Sequence, residues 1–205
     1  KNAIEQGLLK AETAPVEVKT RRETITFVDD EQPHKGRTDK IPSLRAAFAQ
    51  DGTITAANAS SISDGASALI LASESAVQAQ GLKPMVKIVA HARSSRLPAE
   101  FTLAPVDAIS SLLKKTGWSA DDVDLWEINE AFAMVTMLAM KAHGLDHSKV
   151  NVHGGACAQG HPIGSTGSRI IVTLMHAMHH YGKERGVAAL CIGGGEATAV
   201  AIEKC

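Results

Sequence analysis

Three polar residues stand where a chain of alternating strands and helices places its chemistry, at strand ends and in the loops beside them. Asn129 follows the apolar run Val123–Ile128, His161 lies in the loop Gly160-His-Pro-Ile-Gly164, and Cys191 closes the run that starts at Val187. Ten of the 17 glycines fall between Gly154 and Gly195. Glycine costs backbone entropy, so this concentration marks tight turns, left-handed backbone or close approach to a ligand. A loop of this kind suits a thioester or a phosphate, with free N–H groups to meet an oxyanion. Cys191 faces the turn Gly193-Gly194-Gly195 and can act as nucleophile or base if a nearby imidazole lowers its pKa.

Each residue also has a plainer reading. Asn129 suits a helix N-cap, His161 a loop-bracing hydrogen bond, and Cys191 a small buried hydrophobe. Commoner glycine-rich signals fail, because the run Gly160 to Gly167 has neither G-x-G-x-x-G spacing nor the lysine of a phosphate-binding P-loop, and no G-x-S-x-G elbow occurs. His176, His179 and His180 share a helix at i, i+3 and i+4 but lack a neighbouring carboxylate or cysteine, so a solvated helix end is favoured over a metal site. Met134, Met137 and Met140, with Phe132, Val135 and Leu138, read as a helix buried on most sides. Cys157 either borders a site or packs, and Cys205 is incidental.

The elements that position these residues follow from punctuation. Residues 1–55 are polar, carry Pro15, Pro33 and Pro42, and read as surface strands and loops. Asp64 is placed to cap a helix running through Ala66, Leu69, Ile70 and Ala76 to Gly81. Val86–Ala90 reads as a strand. Pro105 suits the first turn of a helix with Val106, Ile109, Leu112 and Leu113 on one stripe, ended by Gly117. Ser119 and Asp122 form a capped turn before the strand Val123–Ile128, which feeds a helix over about 130–142 stopped by Gly144. The second such unit is Val150–Val152, the glycine loop, and a helix over about 165–181 stopped by Gly182. Val187–Ile192 and Ala197–Ile202 close the chain as strands. The pattern is an α/β layered fold.

Composition narrows the class. The 205 residues are 44% hydrophobic and 21% charged, with 21 basic against 22 acidic side chains, which describes a globular chain without the field that gathers nucleic acid. Three irregularly spaced cysteines make no disulfide framework and fit a reducing compartment, so the cytoplasm is expected. No apolar run approaches the roughly 18 to 20 residues that span a bilayer, and Lys1-Asn-Ala-Ile-Glu5 lacks a signal-peptide core. Position 1 is Lys and opens inside apparent helix, with Ile4, Leu8 and Leu9 in register around Gly7. The chain is therefore expected to be a fragment.

Four segments carry a resemblance to a known family. Asn129-Glu-Ala-Phe-Ala133, Asn151-Val-His-Gly-Gly155, Gly160-His-Pro-Ile-Gly164 and Cys191-Ile-Gly-Gly-Gly195 resemble, in order, the C-terminal motifs of thiolases. Upstream, Asn58-Ala-Ser-Ser-Ile-Ser-Asp-Gly65 is similar to the family's N-A-S-G-x-x-D-G segment, with Ser61 where glycine is usual. Trp126-Glu-Ile-Asn-Glu-Ala-Phe132 and Phe101-Thr-Leu-Ala-Pro-Val106 point to the acetyl-CoA acetyltransferase branch. The resemblance implies a thiolase-like α/β layered fold: residues 1–62 as part of the loop domain that covers coenzyme A, 63–83 as the last helix of a first half, and 84–205 as a βαβαβαββ second half. It also implies reversible Claisen condensation of two acetyl-CoA to acetoacetyl-CoA, with coenzyme A as substrate, no covalently bound cofactor, no metal, and a homodimer or homotetramer in the complete protein.

By motif, Cys191 is the implied general acid/base at the α-carbon, and His161 activates a nucleophile and helps bind the thioester oxygen. Asn129 holds a water in that oxyanion hole, and the Gly193 N–H belongs to a second hole. Ser60 touches the pantetheine arm, while Phe101 and Phe132 line the acyl pocket. None of the three cysteines matches the family's nucleophile, which lies in an N-terminal half together with a second catalytic histidine. The isolated chain is accordingly expected not to complete acyl transfer. The other readings are a longer-chain 3-ketoacyl-CoA thiolase and a non-catalytic CoA or lipid carrier, the latter disfavoured because Asn129, His161 and Cys191 are all present.

Overall fold

A computed structural model describes residues 1–205. The chain opens with a short helix α1 (Asn2–Glu5), then an exposed antiparallel hairpin of β1 (Val16–Lys19) and β2 (Thr24–Phe27) and a one-turn helix α2 (Gln32–Lys35). Residues 16–27 bury no side chain, as their polar sequence leads one to expect.

The helix expected from Asp64 is mostly absent. Only α3 (Glu74–Gln80) forms, capped by Ser73, whose hydroxyl accepts from the Ala76 N–H, and stopped by Gly81 in the left-handed region. Residues 64–72 run irregularly along the loop 162–165. Ser67 Oγ bonds to the Ser165 carbonyl at 3.0 Å, and a Cβ on Gly65 would lie 2.7 Å from Pro162 Cγ. Ile70 and Leu71 are 97% and 75% exposed. An apolar stripe with nothing to pack against does not hold a helix, because packing and not propensity supplies most helical stability.

The core is a four-stranded sheet in the order β3-β6-β5-β4, from β3 (Val86–Ser95), β4 (Leu125–Ile128), β5 (Arg185–Ile192) and β6 (Glu196–Lys204). β3 extends five residues past its expected end, antiparallel to β6, with a bulge between Ile88 and Ala90. After the bulge Ala90, Ala92 and Ser94 turn inward while His91, Arg93 and Ser95 are exposed, the alternation of an edge strand that is covered on one face only. β4 is parallel to β5 and buried at all four positions.

Helices cover both faces. On one, α4 (Ala104–Thr116) and α5 (Ala133–His143) enclose Ile109, Leu112 and Ala139 with Trp126, Ile128, Val187 and Ala199. On the other, α7 (Thr166–Tyr181) packs Ile170, Leu174 and Met178 on Leu125, Ala188 and Ile202. Pro105 sits in the first turn of α4, and Gly117, Gly144 and Gly182 all end their helices in the left-handed conformation. The Ser119–Asp122 capping box is formed.

Two expectations change. α5 is not buried on most sides: Val135, Thr136 and Ala139 are buried, but Met137 is 65% exposed and Met134 39%, because only one face meets the sheet. Val150–Val152 is reduced to a single parallel bridge from Val150 to Trp126. Asn151 adopts φ 49°, and its side-chain amide takes over the ladder, accepting from Ile128 N at 2.8 Å and donating to Ile128 O at 2.9 Å. No helix is long and apolar enough to cross a membrane.

Candidate active site

Because β4 and β5 run parallel, their C-terminal ends emerge on the same edge of the sheet. Asn129 continues the ladder one residue past β4, its N–H donating to Ala189 O at 2.9 Å. Asn129 is 1% exposed, and it is not a helix cap, since Phe132 occupies the N-cap of α5. Cys191, two residues beyond Ala189, is paired with Ala197 just before the glycine turn.

His161 reaches this edge from a loop held by the N-terminal segment. Its N–H donates to Ser61 O at 3.0 Å, and Gln32 from α2 bonds Ser63 Oγ at 3.1 Å beside Gly160. Gly160 has φ +99°, and a Cβ there would collide with Ser63 Oγ, so only glycine fits. His161 Nε2 then lies 3.4 Å from Asn129 Nδ2, while its Nδ1 lies 2.7 Å from Thr166 Oγ1. Asn129 Oδ1 is buried with no partner in the protein. A buried amide oxygen without a partner calls for a donor from outside the chain, such as water or a bound molecule.

Burial, then the positive charge of Arg169, holds the His161 imidazole below its ordinary value, so the ring is neutral near pH 7. Burial pushes the Cys191 thiol above its ordinary value. No hydrogen bond joins Cys191 to His161, so the condition of an imidazole lowering its pKa is not met in this chain, and the desolvated thiol keeps its proton at rest.

The glycine turn is set by the segment after β3. Gly195 has φ +92°, its carbonyl accepts from Arg96 N at 2.8 Å, and a Cβ there would press on Arg96 O. Arg96 is in turn held by Asp107 of α4 at 2.9 Å. Gly193 is open on the side where a Cβ would lie.

The remaining expected residues form a second group. Phe101 and Phe132 meet with ring centroids 6.0 Å apart. Ser60 lies beside them, its N–H and hydroxyl both donating to Ala131 O, at 3.1 and 2.9 Å. Phe48, absent from the sequence reading, completes the group at 6.2 Å from Phe132 and is 76% exposed. The available signal was scarcity: the chain has four phenylalanines, and three converge here.

Two polar clusters were also missed. Glu130 accepts from Cys157 N at 3.0 Å and Asn151 Nδ2 at 3.2 Å, and leaves no room for a side chain at Gly155. Cys157 is thereby a packing residue, its thiol pushed up to about 12 by burial and the Glu130 charge. Glu127, 2% exposed, lies 3.6 Å from Arg169 of α7, which also faces Glu12 and Asp30. Burial outweighs the attraction of Arg169 and raises Glu127 to about 8, so the long contact is weaker than a charged pair. His176, His179 and His180 line a cleft of ≈ 420 Å³ with Gln6–Leu8, and no group of three or more His, Cys, Asp or Glu is placed to hold a metal ion.

Comparison with known proteins decides the family. Residues 1–75 match the model of the thiolase N-terminal domain and residues 82–204 that of the thiolase C-terminal domain. This chain belongs to the thiolase family. It is 47% identical over 202 residues to the acetyl-CoA acetyltransferase of Yarrowia lipolytica, covering 98% of this chain and 50% of the relative, and 47% identical to that of Escherichia coli, covering 98% and 52%. Among solved structures, the Bacillus anthracis acetyl-CoA acetyltransferase superposes with a TM-score of 0.95 at 41% identity, and human mitochondrial 3-ketoacyl-CoA thiolase in complex with CoA with 0.93 at 42%. Each alignment covers 100% of this thiolase chain and about half of the neighbour, 52% and 51% respectively. The chain thus spans about half the length of the relatives it matches.

Proposed function

We propose that this chain is the acid/base and oxyanion-hole half of an acetyl-CoA C-acetyltransferase, which condenses two acetyl-CoA to acetoacetyl-CoA and reverses the reaction by thiolysis. The observation that carries the reading is the convergence of Asn129 and His161, with the buried and unpartnered Asn129 Oδ1, on the sheet edge where β5 delivers Cys191 and the glycine turn.

The α-proton of a thioester is far too weakly acidic for an unassisted thiolate, so the enolate oxygen must be stabilised where it forms. His161, once it carries the proton taken from the nucleophilic cysteine, and a water held by Asn129 supply that stabilisation, and the Gly193 N–H serves the tetrahedral intermediate on the acyl-cysteine. The raised Cys191 thiol fits an acid that protonates the departing CoA sulfur. The thiolate left behind, poorly solvated, then takes the α-proton of the second acetyl-CoA. Neutral His161 accepts the proton of the nucleophilic cysteine, which a first-half polypeptide supplies. Ser60 lies along the pantetheine arm, and Phe48, Phe101 and Phe132 bound the acyl pocket. Phe48 and Phe101 packed against Phe132 put aromatic bulk beside Ser60, which favours a short acyl group over a long chain. Three unpaired cysteines suit a reducing compartment, and the assembled enzyme is proposed to be a homodimer or homotetramer.

The test is deuterium uptake from D2O into the methyl group of acetyl-CoA, run on this chain joined to a thiolase first half. Exchange is expected in the parent and absent from Cys191→Ala. Undiminished exchange in that variant would remove Cys191 from the reaction.

A further inference from the structure

Thr166 is fully buried and opens α7, five residues beyond His161. Its hydroxyl oxygen lies 2.9 Å from Pro162 O and 2.7 Å from His161 Nδ1. A hydroxyl carries one proton and a carbonyl oxygen can only accept. With the proton committed to Pro162 O, the contact to the ring is closed only if Nδ1 donates and the threonine lone pair accepts. The opposite face of the ring agrees. There Asn129 Nδ2, a donor, lies toward Nε2, which fits an Nε2 carrying a lone pair and opposes one carrying a hydrogen.

We propose that Thr166 is a positioning residue that locks His161 in the Nδ1–H tautomer, leaving the Nε2 lone pair as the proton acceptor of the site. The proposal rests on the reading of His161 as the base of the acyl-transfer site. It adds what that reading lacks, the reason one nitrogen and not the other faces the chemistry.

The lock is rigid for local reasons. Thr166 has no exposed surface, its N–H also donates to Pro162 O at 2.9 Å, and Pro162 directly follows the histidine, so ring, proline carbonyl and helix start form one closed loop. When His161 takes up a proton, Nε2–H and Asn129 Nδ2–H become two donors facing each other. Arg169, one turn along α7, adds like charge. Both effects make that proton easy to hand back once the enolate oxygen no longer needs a donor.

The experiment is a two-bond 1H–15N correlation spectrum of this 205-residue chain, labelled with 15N-histidine, above the pH at which an imidazole protonates. The His161 ring is assigned by its disappearance in His161→Gln. The parent is expected to show Nδ1 protonated and Nε2 bare, Thr166→Ser to keep that pattern, and Thr166→Val, which has the shape without the hydroxyl, to shift it toward Nε2–H. An Nε2–H ring in the parent overturns the proposal, and so does a folded Thr166→Val that retains Nδ1–H. Should Thr166→Val fail to fold, the parent and Thr166→Ser spectra decide: Nδ1–H in both sustains the lock, and Nε2–H in either overturns it. Ring protonation is read without turnover, so the lock can fail while acyl transfer by this site stands, and can hold if acyl transfer is disproved.

Discussion

Glu127→Gln isolates a charge that the fold suppresses. Glu127 is 2% exposed at the centre of β4, its Oε1 has no partner, and Arg169 approaches Oε2 only to 3.6 Å. Burial raises this carboxyl from 4.5 to about 8. The folded chain therefore keeps the proton at neutral pH while the unfolded chain releases it. The folded pKa lies above the unfolded one, so the stabilisation is fully present below pH 4.5 and is lost as pH rises through about 8. One pH unit in that window is worth about 1.4 kcal/mol, so between pH 5 and 8 the parent should lose roughly 4 kcal/mol from this group alone. Glutamine is a neutral near-isostere without that slope.

Urea unfolding at pH 5, 6, 7 and 8 and constant ionic strength measures both proteins. His153, His161 and His176 have lowered pKa values and lose stability in the opposite direction, as pH falls, but they are common to both proteins and cancel in the difference. Glu127→Gln should gain on the parent steadily from pH 5 to pH 8, by about 4 kcal/mol in all. Parallel curves would refute the argument and show that Glu127 is ionised in the fold, with Arg169 or solvent compensating its charge.

Asn129→Ala should slow α-proton exchange by about a hundred- to a thousandfold, corresponding to roughly 3 to 4 kcal/mol for one oxyanion-hole donor, with the fold intact by circular dichroism; near-normal turnover would leave Asn129 a structural residue. Gly195→Ala places a Cβ against Arg96 O at φ +92° and should destabilise by about 1 to 3 kcal/mol, read as a lower thermal midpoint, with a larger fractional loss of acyl transfer in the chain joined to a thiolase first half because the glycine turn must move. An unchanged midpoint would mean that the β3–α4 segment yields freely. As the proposed base His161 must be neutral to accept a proton, and it is held below its ordinary value, so acyl transfer by this chain joined to a thiolase first half should persist down to the ordinary imidazole range and fall only in more acid solution; a fall centred above pH 7 would contradict the proposed role.

What the residues determined alone is mostly punctuation. Gly117, Gly144 and Gly182 stop their helices because the left-handed backbone at a helix end is nearly free for glycine and costly for other residues, a property that needs no neighbours. Pro105 and the Ser119–Asp122 box start theirs for equally local reasons. The strand-and-helix alternation that these marks delimit gave the layered fold, and the spaced motifs around Asn129, His161 and Cys191 gave the family.

The tertiary structure decided everything that depends on what lies opposite. Asp64 begins no helix because Ile70 and Leu71 find no surface, and Met137 faces solvent because only one side of α5 meets the sheet. Asn151 replaces a strand with its own amide because Ile128 lies opposite it. The approach of Asn129 to His161 joins residues 32 apart and depends on Ser61, Ser63 and Gln32 clamping the histidine loop from a segment about a hundred residues upstream. Phe48, Glu127, Arg169 and Thr166 were silent in the sequence for the same reason. Burial and hydrogen-bond geometry belong to pairs of residues, and those pairs exist only once sheet order and loop packing have brought distant segments together.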